Sequence, residues 1–140
     1  MRRMALYYFD TSIWLDLFEE RNEPHLPKSL YASNALKRII LIDDKIIFTT
    51  VIIEELKDQG YSYEEIQQFF SKISLVVIYR PTNKNLWKRA KDIAKKRNIP
   101  IADVLHALQA REHHAVLVSR DHHFFALQDI CKTKRPEDIN

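Results

Sequence analysis

The sequence predicts an α/β fold in which a mostly parallel sheet carries helices on both faces. Four short runs, rich in apolar residues and free of Gly and Pro, have the length of buried strands, and longer segments with helical character separate them. This alternation of strand and helix is typical of a parallel sheet, because parallel neighbours need crossover connections. At 140 residues with 46% hydrophobic content, the chain has the size of one domain, residues 1–140, with a substantial core.

The first strand is predicted over Met4–Phe9, a bulky and aromatic run that stops at Asp10. Thr11 and Ser12 come next and are expected to cap the helix that continues from Ile13. Open α/β sheets place their chemistry at the carboxyl ends of the strands, where a strand passes into a helix. Asp10 is therefore the first candidate for a functional carboxylate.

The next part of the chain contains two predicted helices and a strand. Arg21–Ser29 holds two prolines and several charges and is interpreted as a loop. A helix is predicted over Leu30–Leu41, and Lys45–Thr49 is the second predicted strand. A further helix follows directly from Thr50, with one of the two adjacent threonines expected as its cap.

Two adjacent glutamates on that helix are candidates for a site. At about 100° per residue the apolar centre of the helix falls between Ile52 and Ile53, which leaves Glu55 on the flank of the buried face and Glu54 almost opposite it. Glu55 is thus the glutamate able to reach inward. The alternative is that both are solvated acids in a first turn, where the helix dipole favours them.

The third strand is predicted over Ser74–Tyr79. Before it, Gly60 is expected to end one helix, and the capping-box pattern of Ser62–Glu65 begins another. A helix from about Asn83 to Arg97 comes after the strand and carries four lysines on one side, Lys84, Lys88, Lys91 and Lys95. These lysines are either an ordinary solvated face or a surface that contacts phosphates.

A second candidate aspartate lies in the helix that Pro100 introduces. Asp103 is in its first turn, where the macrodipole stabilises an ionised carboxylate, so Asp103 is expected to remain charged and able to hold a cation. The alternative is that it serves only to start the helix. His106 could join such a site, but a lone histidine is more commonly a packing or surface residue.

The fourth strand is predicted over Ala115–Val118, and Ser119 and Asp121 follow it as a hydroxyl and a carboxylate at a strand end. Thr11 and Ser119 are expected to support the acids beside them. Structural zinc is not expected, because adjacent histidines should point in different directions and the spacing of zinc motifs is absent. The residues considered for zinc are His113, His114, His122, His123 and Cys131.

Four acids thus follow strand ends or lie in the first turns of helices that begin there, and they are expected to face one crevice: Asp10, Glu55, Asp103 and Asp121. Two unit charges about 4 Å apart repel by about 4 kcal/mol at an effective dielectric constant of 20, so such a cluster favours a divalent cation. Oxygen ligands favour Mg²⁺ or Mn²⁺ over zinc. Such a metal can bind a phosphodiester oxygen, activate water and stabilise a leaving 3′ oxygen.

Composition adds weaker indications about partners and location. The net charge of +3 and a pI near 9.0 favour contact with polyanions such as RNA or DNA. The single cysteine permits no internal disulfide. No apolar run approaches the roughly 20 residues of a membrane span, so a soluble, cytoplasmic protein without membrane contact is expected.

The motifs resemble those of the PIN-domain nucleases and, within that family, the compact VapC-like toxins of toxin–antitoxin pairs. The matching pieces are Asp10–Ser12 after the first strand, Thr50–Leu56, Pro100–Asp103 and Leu117–Phe124. They occur in the family's order and span nearly the whole chain. The family pattern places its glutamate just before a leucine, which selects Glu55, as the helical-face argument does.

The resemblance implies a three-layer α/β/α sandwich with a central, mostly parallel sheet of four to five strands. It also implies an Mg²⁺ or Mn²⁺ site built from the four acids, cleavage of single-stranded RNA, homodimers and inhibition by a small antitoxin. Two other functions stay open: a PIN-fold module that binds RNA or protein without cutting, and a PIN nuclease of RNA processing without an antitoxin. A haloacid-dehalogenase-like phosphatase is disfavoured, because it needs a second acid where Ser12 stands.

Overall fold

The computed structural model describes residues 2–139, in which five strands form one parallel sheet. The strands are β1 (Leu6–Phe9), β2 (Lys45–Thr49), β3 (Val77–Arg80), β4 (Val116–Val118) and β5 (Thr133–Lys134). Their order across the sheet is β3-β2-β1-β4-β5. The first strand of the chain is therefore central: Tyr7 is in register with Ile46 of β2 on one side and with Val116 of β4 on the other.

Seven α-helices lie within the same residues: α1 (Thr11–Glu19), α2 (Lys28–Ile42), α3 (Thr50–Asp58), α4 (Tyr63–Lys72), α5 (Asn85–Arg97), α6 (Ile101–Glu112) and α7 (His122–Phe125). Helix α1 contacts α2 and α3, and α3 contacts α4, while α6 contacts both α5 and α7. Crossovers between parallel strands are right-handed as a rule. The chain adds strands on one side of β1 up to β3 and then adds β4 and β5 on the other side, so the helices of the later crossovers lie on the opposite face of the sheet. The predicted α/β/α sandwich is confirmed.

The two neighbouring residues Tyr8 and Phe9 of β1 show how the layers meet the sheet. Both side chains are fully buried, and successive side chains of a strand point to opposite faces. Phe9 packs on Trp14 of α1, with ring centroids 5.1 Å apart, whereas Tyr8 meets His106 of α6 at 5.5 Å. The face of the sheet that α1 covers is thus aromatic at this point, whereas the face that α6 covers is polar.

Helix starts and strand boundaries differ from the prediction in several places. Asp10, rather than Thr11 or Ser12, caps α1 with its side chain, and neither threonine at the start of α3 makes a side-chain cap. Strand β3 begins at Val77 instead of Ser74, because the preceding residues turn so that Val76 N donates to Ile73 O. The capping box predicted at the start of α4 is formed.

The C-terminal part contains two elements that were not predicted, α7 and β5. Thr133 of β5 pairs with Leu117 of β4, and its side chain is buried. Near the end of the described residues, a short 3₁₀ turn at Pro136–Asp138 contacts α2. In the part of the chain that the structure describes, no helix has both the length and the apolar character needed to cross a bilayer.

Candidate active site

Asp10 lies at the carboxyl end of the central strand and is fixed by three hydrogen bonds. Its Oδ1 accepts from the backbone N–H of Ile13 at 3.1 Å and from the Ser12 hydroxyl at 2.7 Å, while Oδ2 accepts from the Ser119 hydroxyl at 2.5 Å. Only 5% of Asp10 is exposed. Burial raises the pKa of this carboxyl group, and the hydrogen bonds from Ser119 and Ser12 counteract part of that effect.

Glu55 projects from α3 toward α1 and α6, while Glu54 is exposed. Glu55 Oε1 accepts from the Thr11 hydroxyl at 2.6 Å and lies 2.5 Å from His106 Nε2. Burial alone would raise the pKa of Glu55, but the contacts with His106 and Thr11 outweigh it and the net shift is downward. Glu55 therefore favours its ionised form, even though 31% of its side chain remains exposed.

Asp103 and Asp121 meet at the ring of His123. His123 Nδ1 lies 3.0 Å from Asp103 Oδ2 and 3.2 Å from Asp121 Oδ1. Asp121 caps α7 by accepting from the backbone N–H of His123 at 2.9 Å, and its own N–H donates to the Ser119 hydroxyl at 3.0 Å. Ser119 thus connects Asp121 to Asp10, and His123 connects Asp121 to Asp103.

The structure bears on two expectations about this part of the site. Burial and the nearby charge of Asp121 raise the pKa of Asp103, which opposes the stabilisation of the ionised form expected from the helix dipole. His122 and His123 do not point in different directions, because the turn into α7 brings their ring centroids to 4.3 Å from each other and places both Nδ1 atoms beside Asp121 Oδ1.

The four acids surround one region but are kept apart by donor groups. Among residues 2–139, the three ligand-bearing side chains whose atoms all lie within 4.8 Å of one another are Asp121, His122 and His123, and no three of the four acids approach so closely. The His123 ring lies between the carboxylates of Asp103 and Asp121, and the Ser119 hydroxyl links the Asp10 carboxylate to the backbone N–H of Asp121. Such an arrangement reduces the repulsion that like charges would experience at closer range.

The donor chemistry of the region fits a hard divalent cation. Within the described chain no hydrogen bond reaches Glu55 Oε2, Asp103 Oδ1 or Asp121 Oδ2, so these oxygens keep lone pairs for a ligand. Carboxylate oxygens are the ligands that Mg²⁺ and Mn²⁺ prefer. His122 and His123 add nitrogen atoms beside Asp121, which Mn²⁺ tolerates better than Mg²⁺ does.

A cleft of about 360 Å³ opens next to Glu55. Its wall includes Thr11, Ser12, Arg21 and Glu55. Arg21 is held there because its Nε donates to Asp16 Oδ1 at 3.0 Å and its Nη2 donates to the backbone carbonyl of Ser12 at 2.9 Å. The cleft therefore combines a carboxylate with an anchored guanidinium group. A second, larger groove between α3, α4 and β3 contains Glu54 and none of the four acids.

The four predicted lysines of the α5 region are all exposed. None of Lys84, Lys88, Lys91 and Lys95 forms an ion pair with another side chain in the range that the structure covers. The C-terminal end of α5 is joined to the start of α6 by the short link 98–100, so the basic last turn of α5 is close in the chain to Asp103.

Sequence reasoning did not place His123, Tyr8 or Gln109 in the site, and it favoured a packing or surface role for His106. His106 lies one helical turn after Asp103, and that spacing was the available signal for it. Tyr8 lies in a bulky, aromatic strand, and its polar contacts to α6 come from residues about 100 positions later. Such contacts depend on how the layers pack, so no local pattern reveals them.

The strand-end acids on a parallel sheet, together with a sequence match, define the class of protein. A sequence model of the PIN domain matches residues 7–130, and the chain belongs to the PIN domain family. The resemblance expected from the motifs is confirmed. No curated protein sequence matches the chain at a significant level.

Solved structures of similar fold include components of toxin–antitoxin complexes. VapBC2 from Rickettsia felis, solved with a promoter DNA fragment, has a TM-score of 0.66 at 16% identity over 94% of this chain and 98% of that chain. VapBC-1 from nontypeable Haemophilus influenzae gives 0.66 at 17% identity with the same coverage, 94% and 98%. A toxin–antitoxin complex from Klebsiella pneumoniae gives 0.63 at 19% identity over 93% of this chain and 97% of that chain. The chain therefore shares their fold.

Proposed function

We propose that this protein is a Mg²⁺- or Mn²⁺-dependent endoribonuclease that cleaves single-stranded RNA, as the toxin of a toxin–antitoxin pair. The observation that supports it most directly is the set of carboxylate oxygens around the carboxyl end of β1, three of which carry no hydrogen bond within residues 2–139. Membership of the PIN domain family agrees with nuclease chemistry.

In this proposal, Asp10, Glu55, Asp103 and Asp121 hold the metal. When bound, the metal supplies Lewis-acid stabilisation of the phosphodiester and lowers the pKa of water, which yields the nucleophile and supports the leaving 3′ oxygen. The carboxylates of the chain provide the negative charge and the oxygen atoms that this requires.

The side chains of the protein orient the acids. Thr11 and His106 hold Glu55 by Oε1, so that Oε2 keeps its lone pairs for the metal. Ser119 holds Asp10 and Asp121 in a fixed relation through its hydroxyl group. These contacts keep the acids in position before substrate arrives, which reduces the reorganisation needed for reaction.

The RNA strand is proposed to approach along basic side chains. Arg21 in the cleft beside Glu55 and the exposed lysines of the α5 region provide contacts for phosphates, and the latter are Lys84, Lys88, Lys91 and Lys95. Phosphate contacts of this type attract a strand without selecting its bases. A single strand is flexible enough for its backbone to bend toward the carboxylates.

The toxin assignment rests on the shared fold with chains from toxin–antitoxin complexes. It includes a small antitoxin partner, a homodimer and a cytoplasmic location. Co-expression with the product of a small neighbouring gene, followed by affinity capture of this chain, tests the partner. Sedimentation of the purified chain tests the dimer.

Cleavage of labelled single-stranded RNA tests the enzymatic part. The purified, folded chain should cut the RNA with Mg²⁺ or Mn²⁺ and stop when EDTA is added in excess. Undiminished cleavage in EDTA would contradict the metal-dependent mechanism. Binding of RNA without any cleavage by either metal would instead support a PIN-fold binding module, and cleavage without any captured antitoxin would support a nuclease of RNA processing.

A further inference from the structure

A cluster of buried polar side chains lies behind Glu55, on the α6 side of the sheet. Tyr8, Thr49, His106 and Gln109 are each at most 3% exposed. They meet at the Tyr8 hydroxyl, which lies 2.6 Å from His106 Nδ1, 3.0 Å from Gln109 Nε2 and 3.1 Å from Thr49 Oγ1. Apolar side chains at these positions would fill the core without the cost of removing polar groups from water.

The donor and acceptor atoms of the cluster can be assigned in sequence, from Thr82 to Glu55. Thr82 Oγ1 accepts from the backbone N–H of Val51 at 3.3 Å, so its hydrogen is directed to Gln109 Oε1 at 2.7 Å. This fixes the amide of Gln109 with its nitrogen toward Tyr8. The Tyr8 hydroxyl then occupies the Nδ1 side of His106, and His106 Nε2 faces Glu55. Because an ionised carboxylate only accepts, Nε2 carries a hydrogen directed at Glu55 Oε1.

The buried cluster is not required to provide hydrogen bonds to the Glu55 carboxylate. About a third of the Glu55 side chain is exposed, so water could solvate this carboxylate without any histidine. Without His106, however, Glu55 would keep the contact with Thr11 and lose a second restraint on its rotamer. Ordering a glutamate side chain costs up to about 2 kcal/mol of conformational entropy. The buried contacts thus restrict the orientation of a partly exposed acid.

We propose that His106 is a positioning residue for Glu55, held in place by Tyr8 and Gln109 through hydrogen bonds that reach the β3–α5 connection at Thr82. This rests on the proposed function for its effect on cleavage. The geometric part, a hydrogen on His106 Nε2 held against Glu55, is independent of that function. Thr11, the other donor to Glu55 Oε1, holds the same oxygen from α1, so both contacts leave Oε2 without a hydrogen bond within residues 2–139.

Two substitutions of His106 separate this role from simple packing. His106→Leu removes the donor and keeps an apolar side chain of similar size, whereas the amide of His106→Gln can place a donor near the position of Nε2. His106→Leu should lower kcat and the affinity for Mn²⁺ by about 10- to 100-fold while KM for RNA changes little. His106→Gln should recover most of both. The exposed His25→Gln serves as the matched control and should behave as the unmodified chain.

A double-mutant cycle identifies the residue through which His106 acts. In the Glu55→Gln background, His106→Leu should produce no further loss of Mn²⁺ affinity, because the carboxylate that it orients is already absent. Equal losses in both backgrounds, with a normal unfolding transition, would overturn the proposal. So would full activity and full Mn²⁺ affinity of His106→Leu.

The hydrogen itself is visible by NMR of the protein labelled with ¹⁵N at histidine. A ring N–H resonance from His106 Nε2, protected from exchange with water, is expected in the unmodified chain and should be lost in Glu55→Ala. Absence of a protected Nε2 hydrogen in the unmodified, folded chain would refute the positioning contact. If that resonance and the Mn²⁺ coupling are present while RNA remains intact, the proposed nuclease function fails and the positioning of Glu55 stands.

Discussion

Replacing Asp10 by alanine or by asparagine separates its role as a helix cap from its role as a charge. Its carboxylate accepts from Ile13 N, Ser12 Oγ and Ser119 Oγ, and alanine removes all three contacts. Loss of an N-cap costs about 0.5–2 kcal/mol, and the buried Ser119 hydroxyl left without its acceptor costs about 1–3 kcal/mol. We expect Asp10→Ala to lower the free energy of unfolding by roughly 2–4 kcal/mol, because loss of the buried charge offsets part of this sum.

Asparagine preserves most of the same geometry without the charge. Its amide oxygen can accept from Ile13 and Ser12, and its amide nitrogen can donate to the Ser119 hydroxyl. Removal of the buried charge offsets the cost of the Ser119 hydrogen that loses its acceptor. The free energy of unfolding of Asp10→Asn should therefore lie within about 1 kcal/mol of that of the unmodified chain. Both variants should lose cleavage, because each removes a charged oxygen from the site.

The difference in stability between the unmodified chain and Asp10→Asn should also depend on pH. Burial raises the pKa of Asp10 above the ordinary value of 3.8. A carboxyl group with a raised folded-state pKa contributes stability that is present below its unfolded value and is lost as the pH rises through the folded value. As the pH falls through the folded-state pKa toward the ordinary value of 3.8, the unmodified chain should gain stability relative to Asp10→Asn.

Urea unfolding in EDTA, followed by the fluorescence of the buried Trp14, measures all three proteins. Similar slopes of free energy against urea make the midpoints comparable. If Asp10→Asn is destabilised as much as Asp10→Ala, the charge itself holds the cap and the hydrogen-bond account is wrong. If acidification favours Asp10→Asn over the unmodified chain, the three donors stabilise the ionised form more than burial destabilises it.

Three further outcomes are expected. Glu55→Gln should reduce RNA cleavage by about 100-fold or more in a gel assay, while Glu54→Gln, on the adjacent exposed position, changes it little; the reverse order would contradict the orientation of α3. Added Mg²⁺ should raise the thermal midpoint of the unmodified chain more than that of Asp103→Asn, because a ligand that binds the folded state stabilises it by mass action. Equal shifts would show that Asp103 does not bind the cation. Lys88→Gln and Lys91→Gln should each reduce the magnitude of the slope of log binding constant against log salt concentration by about 0.7 for single-stranded RNA. An unchanged slope would show that these lysines do not contact the RNA.

The sequence was sufficient to locate the acids in the fold. The first short apolar run stops at Asp10, the fourth is followed by Ser119 and then Asp121, and a parallel sheet brings such strand ends to one edge. The orientation of Glu55 follows from helical periodicity, because its neighbours Ile52 and Leu56 must be buried. These features depend on local patterns and on one topological rule, and both can be read from a single chain.

The contacts that surround the acids could not be predicted in the same way. His123 lies between Asp103 and Asp121 because the turn after Asp121 directs its ring back toward α6. The start of β3 was misplaced because Leu75 belongs to an apolar run, yet 89% of its surface is exposed in a turn. In both cases, tertiary geometry decides between conformations that the local sequence allows.

The central position of β1 affects when the site can form during synthesis. Chains emerge from the ribosome with the N-terminus first, at about 5–20 residues per second, so Asp10 and Glu55 leave it early. The hydrogen bond from Ser119 to Asp10 cannot form until Ser119, 109 positions later, has emerged, and β1 lacks its second neighbour until β4 has emerged. Pairing over such a separation is slow compared with the formation of local helices. A nascent chain that stops before β4 therefore carries Asp10, Glu55 and Asp103 without the strand, the Ser119 hydroxyl and the His123 ring that complete their arrangement. The site cannot be complete until these residues have been synthesised.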